Sequence, residues 1–333
     1  AAGEAIGYRS MYQAMDGASG TALGNSTLEN LVGQHSIAIG SEAGRYASGS
    51  YNTFVGGSAG KGGTTSAPFS SGQYNTAVGY LALYSHTTSN SNVAVGYRAS
   101  YSTTTGTQNV AIGNNALYSN QENVYNVAIG TSALYSLAGS SLDANVAVGW
   151  EAGKNAQSDT GTIMIGYRAG YQVRGHSSIS IGYEAALNLR GGSSVNIGRD
   201  AARGVGNHNA TGVAIGYQAA MRIASGSTAG YTTVGYFAGY QMSGSNTFFG
   251  YQAGKGSVTS APYGSGQHNT AVGHNTLLNI STGDGNVAIG SYSGDAITSG
   301  DYNVSIGENS LSSATSGGSN IAIGRLAGAN VTT

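Results

Sequence analysis

Along the chain an aliphatic residue followed by Gly recurs in 19 copies, anchored from Gly7 to Gly324, with successive anchors 15 to 23 residues apart and 17 the commonest step. The residue just before each anchor is Ile, Val, Leu or Phe in every copy. The residue three before is β-branched in 18, with Glu4 the exception. Apolar positions two apart are the mark of a strand with one buried face. Four before the anchor stands Asn in 11 copies, among them Asn75, Asn92, Asn109, Asn286 and Asn303. Identical amides stacked coil over coil satisfy one another's polar groups. The anchor Gly suits a corner where the chain turns tightly or takes positive φ.

A unit of about 17 residues cannot enclose a core by itself, so each copy is expected to form one coil of a β-solenoid bonded to the coils on either side. The predicted fold is all-β, a β-solenoid of about 19 coils. No segment keeps a 3.6-residue apolar stripe, which excludes a helical reading. The array occupies 1–333 without a visible boundary. Within it the stretches 52–79 and 246–273 match at 20 of 28 positions at an offset of 194 residues, and the following anchors keep that offset through Gly130 and Gly324. Pro68 and Pro262, one in each stretch, are expected on loops bulging from the coils.

The position two before the anchor is Ala in twelve copies, Phe at Phe54 and Phe248, and Met at Met164. Alternation assigns it to the outside of the strand, where a solvated face carries polar residues. An apolar outer row implies a cover, and the same strand of another copy is the simplest one, predicting a homo-oligomer, most simply a trimer.

Charged residues make up only 8% of the chain, with 13 Lys and Arg against 14 Asp and Glu. That balance lacks the basic excess that binds nucleic acid or anionic lipid. No apolar run approaches the length of a membrane-spanning helix, so no membrane insertion is expected. The chain starts inside the repeat pattern, which suggests a processed product or a segment of a longer protein. With no Cys there is no disulfide or thiol chemistry.

Copies such as Asn75-Thr76-Ala77-Val78-Gly79-Tyr80-Leu81-Ala82-Leu83 and Ser178-Ile179-Ser180-Ile181-Gly182-Tyr183-Glu184-Ala185 resemble the head repeats of YadA-like trimeric autotransporter adhesins and the repeats of bacteriophage tail fibres. The resemblance implies a left-handed parallel β-roll, trimeric and extracellular, on a cell surface or virion, serving adhesion or as a fibre shaft. Rods of this kind could also continue end to end as a filament.

Candidate chemistry centres on aromatic rows. Directly after the anchor stand Tyr8, Tyr80, Tyr97, Trp150, Tyr167, Tyr183, Tyr217, Tyr236 and Tyr251; five after it stand Tyr12, Tyr84, Tyr101, Tyr118, Tyr135, Tyr171 and Tyr240. Such rings could stack on the sugars of a cell-surface glycan or contact a receptor. The competing expectation is that they pack on one another and stiffen the coils. An ice-binding solenoid is a third reading, suggested by Asn52-Thr53, Asn75-Thr76, Asn246-Thr247 and Asn269-Thr270, although most coils replace the Thr with Val or Ile.

Nothing points to an enzyme, a catalytic residue, a cofactor or a metal. Acidic residues are spread mostly one per coil, without the paired carboxylates of a glycosidase. The six histidines, His35, His86, His176, His208, His268 and His274, form no metal motif. Asp284-Gly285-Asn286 reads as a turn, not a calcium loop. Sequons at Asn25, Asn209, Asn279, Asn303 and Asn330 are common by chance in so Asn-rich a chain.

Overall fold

The computed structural model describes residues 3–15, 18–63, 69–137, 143–156, 160–204, 211–222, 230–242, 244–257 and 264–332. Pro68, Pro262, His208 and Asn209 lie outside them. Among the described residues every regular element is a β-strand, and paired strands run parallel, as a β-solenoid requires. The chain forms two compact units, 1–165 and 166–333.

The first unit contains ten described strands, from β1 (Glu4–Ile6) to β10 (Ile163–Ile165). The second contains nine, from β11 (Ile179–Ile181) to β19 (Ile321–Ile323). Register follows the repeat residue for residue: Val93 faces Val110, Ala94 faces Ala111 and Val95 faces Ile112. The second unit repeats this with Val287 opposite Val304 and Ile289 opposite Ile306.

Every anchor Gly has φ between 122° and 140°. A Cβ on Gly113 would stand 2.6 Å from the carbonyl oxygen of Gly130 in the next coil, so neither the φ nor the space admits a side chain. The amide ladder is continuous over Asn75, Asn92 and Asn109. Asn92 Oδ1 accepts from the Asn109 backbone N–H at 3.0 Å and from Asn109 Nδ2 at 3.1 Å. Asn92 Nδ2 donates to Asn75 Oδ1 and to the Gly106 carbonyl at 2.9 Å. Asn269, Asn286, Asn303 and Asn320 repeat the arrangement in the second unit.

The strand faces are the reverse of the expected assignment. Ala77, Ala94, Ala111, Ala128 and Ala147 are fully buried, as are Phe54 and Met164, and Phe248 nearly so. This position lines the coil interior. The residue after it points outward: Val78, Ile112, Ile129 and Ile165 in the first unit, and Phe249, Val272 and Ile289 in the second, are each 36–40% exposed. The reason is space. A coil this small leaves an interior too narrow for two rows of branched side chains, so the small residue goes in.

Large residues enter only where glycine makes room. A Cβ on Gly44 would stand 2.9 Å from Phe54 Cδ2, and one on Gly153 would stand 2.8 Å from Met164 Sδ. In several coils whose strand residue is Ala, a Leu four after the anchor fills the interior instead, as Leu83, Leu117, Leu134 and Leu277 do. These buried Leu residues take φ of 47–53°. That left-handed backbone is uncommon for a residue with a side chain and is held here by the neighbouring coils on both sides. Leu117, for example, donates its N–H to the Ala133 carbonyl at 2.9 Å.

Candidate functional site

The aromatic rows are the features with most capacity for recognition, and the structure sorts them into columns. Tyr80 stacks on Tyr97 with ring centroids 6.0 Å apart, and Tyr167 on Tyr183 at 4.7 Å. Tyr217, Tyr236 and Tyr251 stack successively at 5.0 and 5.2 Å, and His274 extends the column at 5.1 Å. Tyr8 and Trp150 also lie at the surface, 73% and 40% exposed. Tyr84, Tyr101, Tyr118 and Tyr135 make a four-ring run, stacked at 5.1, 5.1 and 4.9 Å with their planes within 6° of parallel. Burial between its neighbours pushes the Tyr101 hydroxyl above its ordinary range, against the opposing pull of Arg98.

Coil spacing explains this geometry, because equivalent residues in adjacent coils stand about 4.8 Å apart, close to the distance between stacked rings. The consequence for binding is direct. Rings inside a column spend both faces on each other and present only edges and hydroxyls to a ligand. Faces free for a sugar are confined to column ends.

A further column was not visible in the repeat: His35, Tyr51 and Tyr74 stack at 5.3 and 5.1 Å. They sit five before the anchor, all with φ of 57–60°. That position is Ser91 and Gln108 in the next coils, so no aromatic periodicity announces it.

Charge is scarce but concentrated. In the first unit Glu29, almost fully buried, takes Arg9 at 2.6 Å and Arg45 at 2.8 Å. Arg45 also reaches Glu42 at 2.6 Å, and Glu42 takes Lys61 at 2.9 Å. The hydrogen bond from Lys61 is the main cause holding the Glu42 carboxyl below its ordinary range. In the second unit Arg203 joins Glu184 at 2.9 Å and Asp200 at 3.1 Å. Alternating charges in successive coils neutralise each other and leave no large single-sign patch there.

Among the described residues no three His, Cys, Asp or Glu side chains gather to hold a metal. An open groove of about 610 Å³ in the first unit is lined by Glu4, Ser19, Thr21, His35, Ser36 and Ile37, together with Gly3 and Gly20. It lies where small residues replace the ladder Asn. His268 is exposed at φ 59°. His86 is the opposite case: fully buried, with its ring 5.5 Å from that of Phe54. Burial pushes its imidazole down to about 4, and the nearby Leu83 carbonyl, which does not complete a hydrogen bond, offsets this only in part. Comparison with protein-family models, curated proteins and solved structures finds no match to this chain.

Proposed function

We propose that this protein is a non-enzymatic structural shaft of an extracellular fibre, a phage tail fibre or a bacterial surface filament or adhesin, built from three copies in register. The observation that carries the reading is the outward aliphatic face. Val78, Ile112, Ile129 and Ile165 leave more than a third of their surface exposed on one side of one sheet, as do Val272 and Ile289 in the second unit. Scattered exposed apolar residues need no explanation, but a strip repeated strand after strand marks an interface.

Its most economical occupant is the same strip on other copies. A partner must repeat at the same coil spacing to stay in contact along the strip, and an identical chain does so automatically. Three sheet faces around one axis would bury these rows in a dry seam, leaving the Tyr columns and ion pairs on the outside. The closed ring faces within those columns favour a stiffening role over glycan stacking.

Light scattering on the purified chain tests this: the expected mass is three times the 33.3 kDa of one copy. Replacing Ile112 and Ile129 with Lys should yield a folded species of single-copy mass, because those side chains leave the coil interior untouched. A single-copy mass for the unaltered protein would overturn the trimer. Thermal hysteresis from such a monomer would assign the flat β-branched face to ice.

A further inference from the structure

The interior of the first unit carries a set of buried polar side chains that its counterpart in the second unit lacks. His86, Ser89, Ser100 and Thr103 are fully buried. Five of their side-chain atoms, both His86 ring nitrogens and the hydroxyl oxygens of Ser89, Ser100 and Thr103, have no hydrogen-bond partner in the protein. Buried polar atoms of native proteins are almost always paired, so five together require an explanation.

Their places in the repeat put His86 and Ser89 on one coil and Ser100 and Thr103 on the next. His86 and Thr103 hold the same place, seven after the anchors Gly79 and Gly96, in consecutive coils. Adding 194 gives the equivalent seats in the second unit: Ile280, Gly283, Gly294 and Ile297. There a Cβ on Gly283 would stand 3.0 Å from Ile280 Cδ1, and one on Gly294 would stand 3.0 Å from Ile297 Cδ1 and 3.1 Å from Leu277 Cδ2. Both Ile side chains belong to one apolar cluster with Phe248 and Leu277. All four seats thus change character together, from no polar side chain in the second unit to a polar side chain at each seat in the first.

We propose that the first unit encloses an internal water site bounded by His86, Ser89, Ser100 and Thr103. Water fits the chemistry. A neutral imidazole offers one donor and one acceptor, and each hydroxyl offers both, so water, itself donor and acceptor, can satisfy all of them without bringing in a charge. An anion would need donors from every side and a neutralising charge. The ring is held neutral by its burial, so it supplies no such charge.

The test is a crystal structure of the unaltered protein at about 1.5 Å or better, with a second crystal soaked in bromide. The expected result is at least one ordered water within about 2.7–3.2 Å of His86 and of one of the three hydroxyls. It should be absent from a variant carrying the second unit's residues, His86→Ile, Ser89→Gly, Ser100→Gly and Thr103→Ile. Three outcomes would overturn the proposal: no density between these side chains, a bromide anomalous peak in their midst, or direct bonding of His86 to Thr103 through altered rotamers.

Discussion

Residues 75–120 and 269–314 are the same stretch of solenoid written twice with different interiors. Both copies keep the anchor glycines, the Asn ladder and the outward Val and Ile rows. Inside, His86 corresponds to Ile280, Thr103 to Ile297 and Asn120 to Ala314. On one edge, the stacked Tyr84, Tyr101 and Tyr118 correspond to Leu278, Asp295 and Ser312. The lesson is a division of labour. Backbone corners and ladders determine that a coil forms, and the remaining seats need only be filled and satisfied, by apolar packing in one copy and by polar groups and rings in the other.

The frame should break equally in both copies. Gly113→Ala and Gly307→Ala each place a Cβ against the next coil's glycine at a φ of 136° or 131°. Each should cost about 4 kcal/mol, through strain and a displaced coil contact. Denaturant midpoints of the two variants check this; a marked inequality would mean that the two frames are not equivalent.

The ladder comes next. Asn92→Ala removes the acceptor of the Asn109 N–H and the donor to the Gly106 carbonyl, and Asn286→Ala does the same to Asn303 and Gly300. Losses of about 3 kcal/mol are expected in each, because buried groups are left unpaired. Hydrogen exchange at Asn109 and Asn303 reads the effect locally.

The interiors should separate the copies. Burial holds His86 at about 4 in the folded chain against an ordinary 6.5, so the unfolded chain binds the proton first on acidification. Stability from this site is complete above about pH 6.5 and is lost as pH falls toward 4, by up to about 3 kcal/mol. His86→Ile should abolish that slope and Ile280→His should create one in the second unit; an unchanged pH profile in both variants would refute the account.

The smallest difference is at the edge. Tyr101→Leu interrupts a four-ring stack and should cost about 1 kcal/mol. Asp295→Leu, at the equivalent seat, should be neutral or stabilising, since burial already pushes that carboxyl above its ordinary range. Thermal midpoints of the two variants, measured at neutral pH, decide the sign.

Much of this molecule is legible in one dimension. The spacing of Gly79, Gly96 and Gly113, the branched residues before them and the recurrent Asn define coil, strand and ladder, because stacking makes each residue the neighbour of its own equivalent. The inward face was not read correctly, since Ala94 and its neighbours Val93 and Val95 are all apolar and alternation cannot rank two apolar faces. A signal was nevertheless available: Phe54, Phe248 and Met164 accompany Gly60, Gly254 and Gly170 four after the anchor, while Ala77, Ala111 and Ala128 accompany Leu83, Leu117 and Leu134. Residues that trade volume share a space.

The sequence by itself therefore determined the periodic backbone, whose information is local and repeated in every coil. Tertiary structure alone decided which strand face turns inward, that His86, Ser89, Ser100 and Thr103 are all fully buried, and that His35 joins Tyr51 and Tyr74. Those outcomes depend on the width of the coil and on side chains brought together across coils, and neither quantity is written in any single repeat.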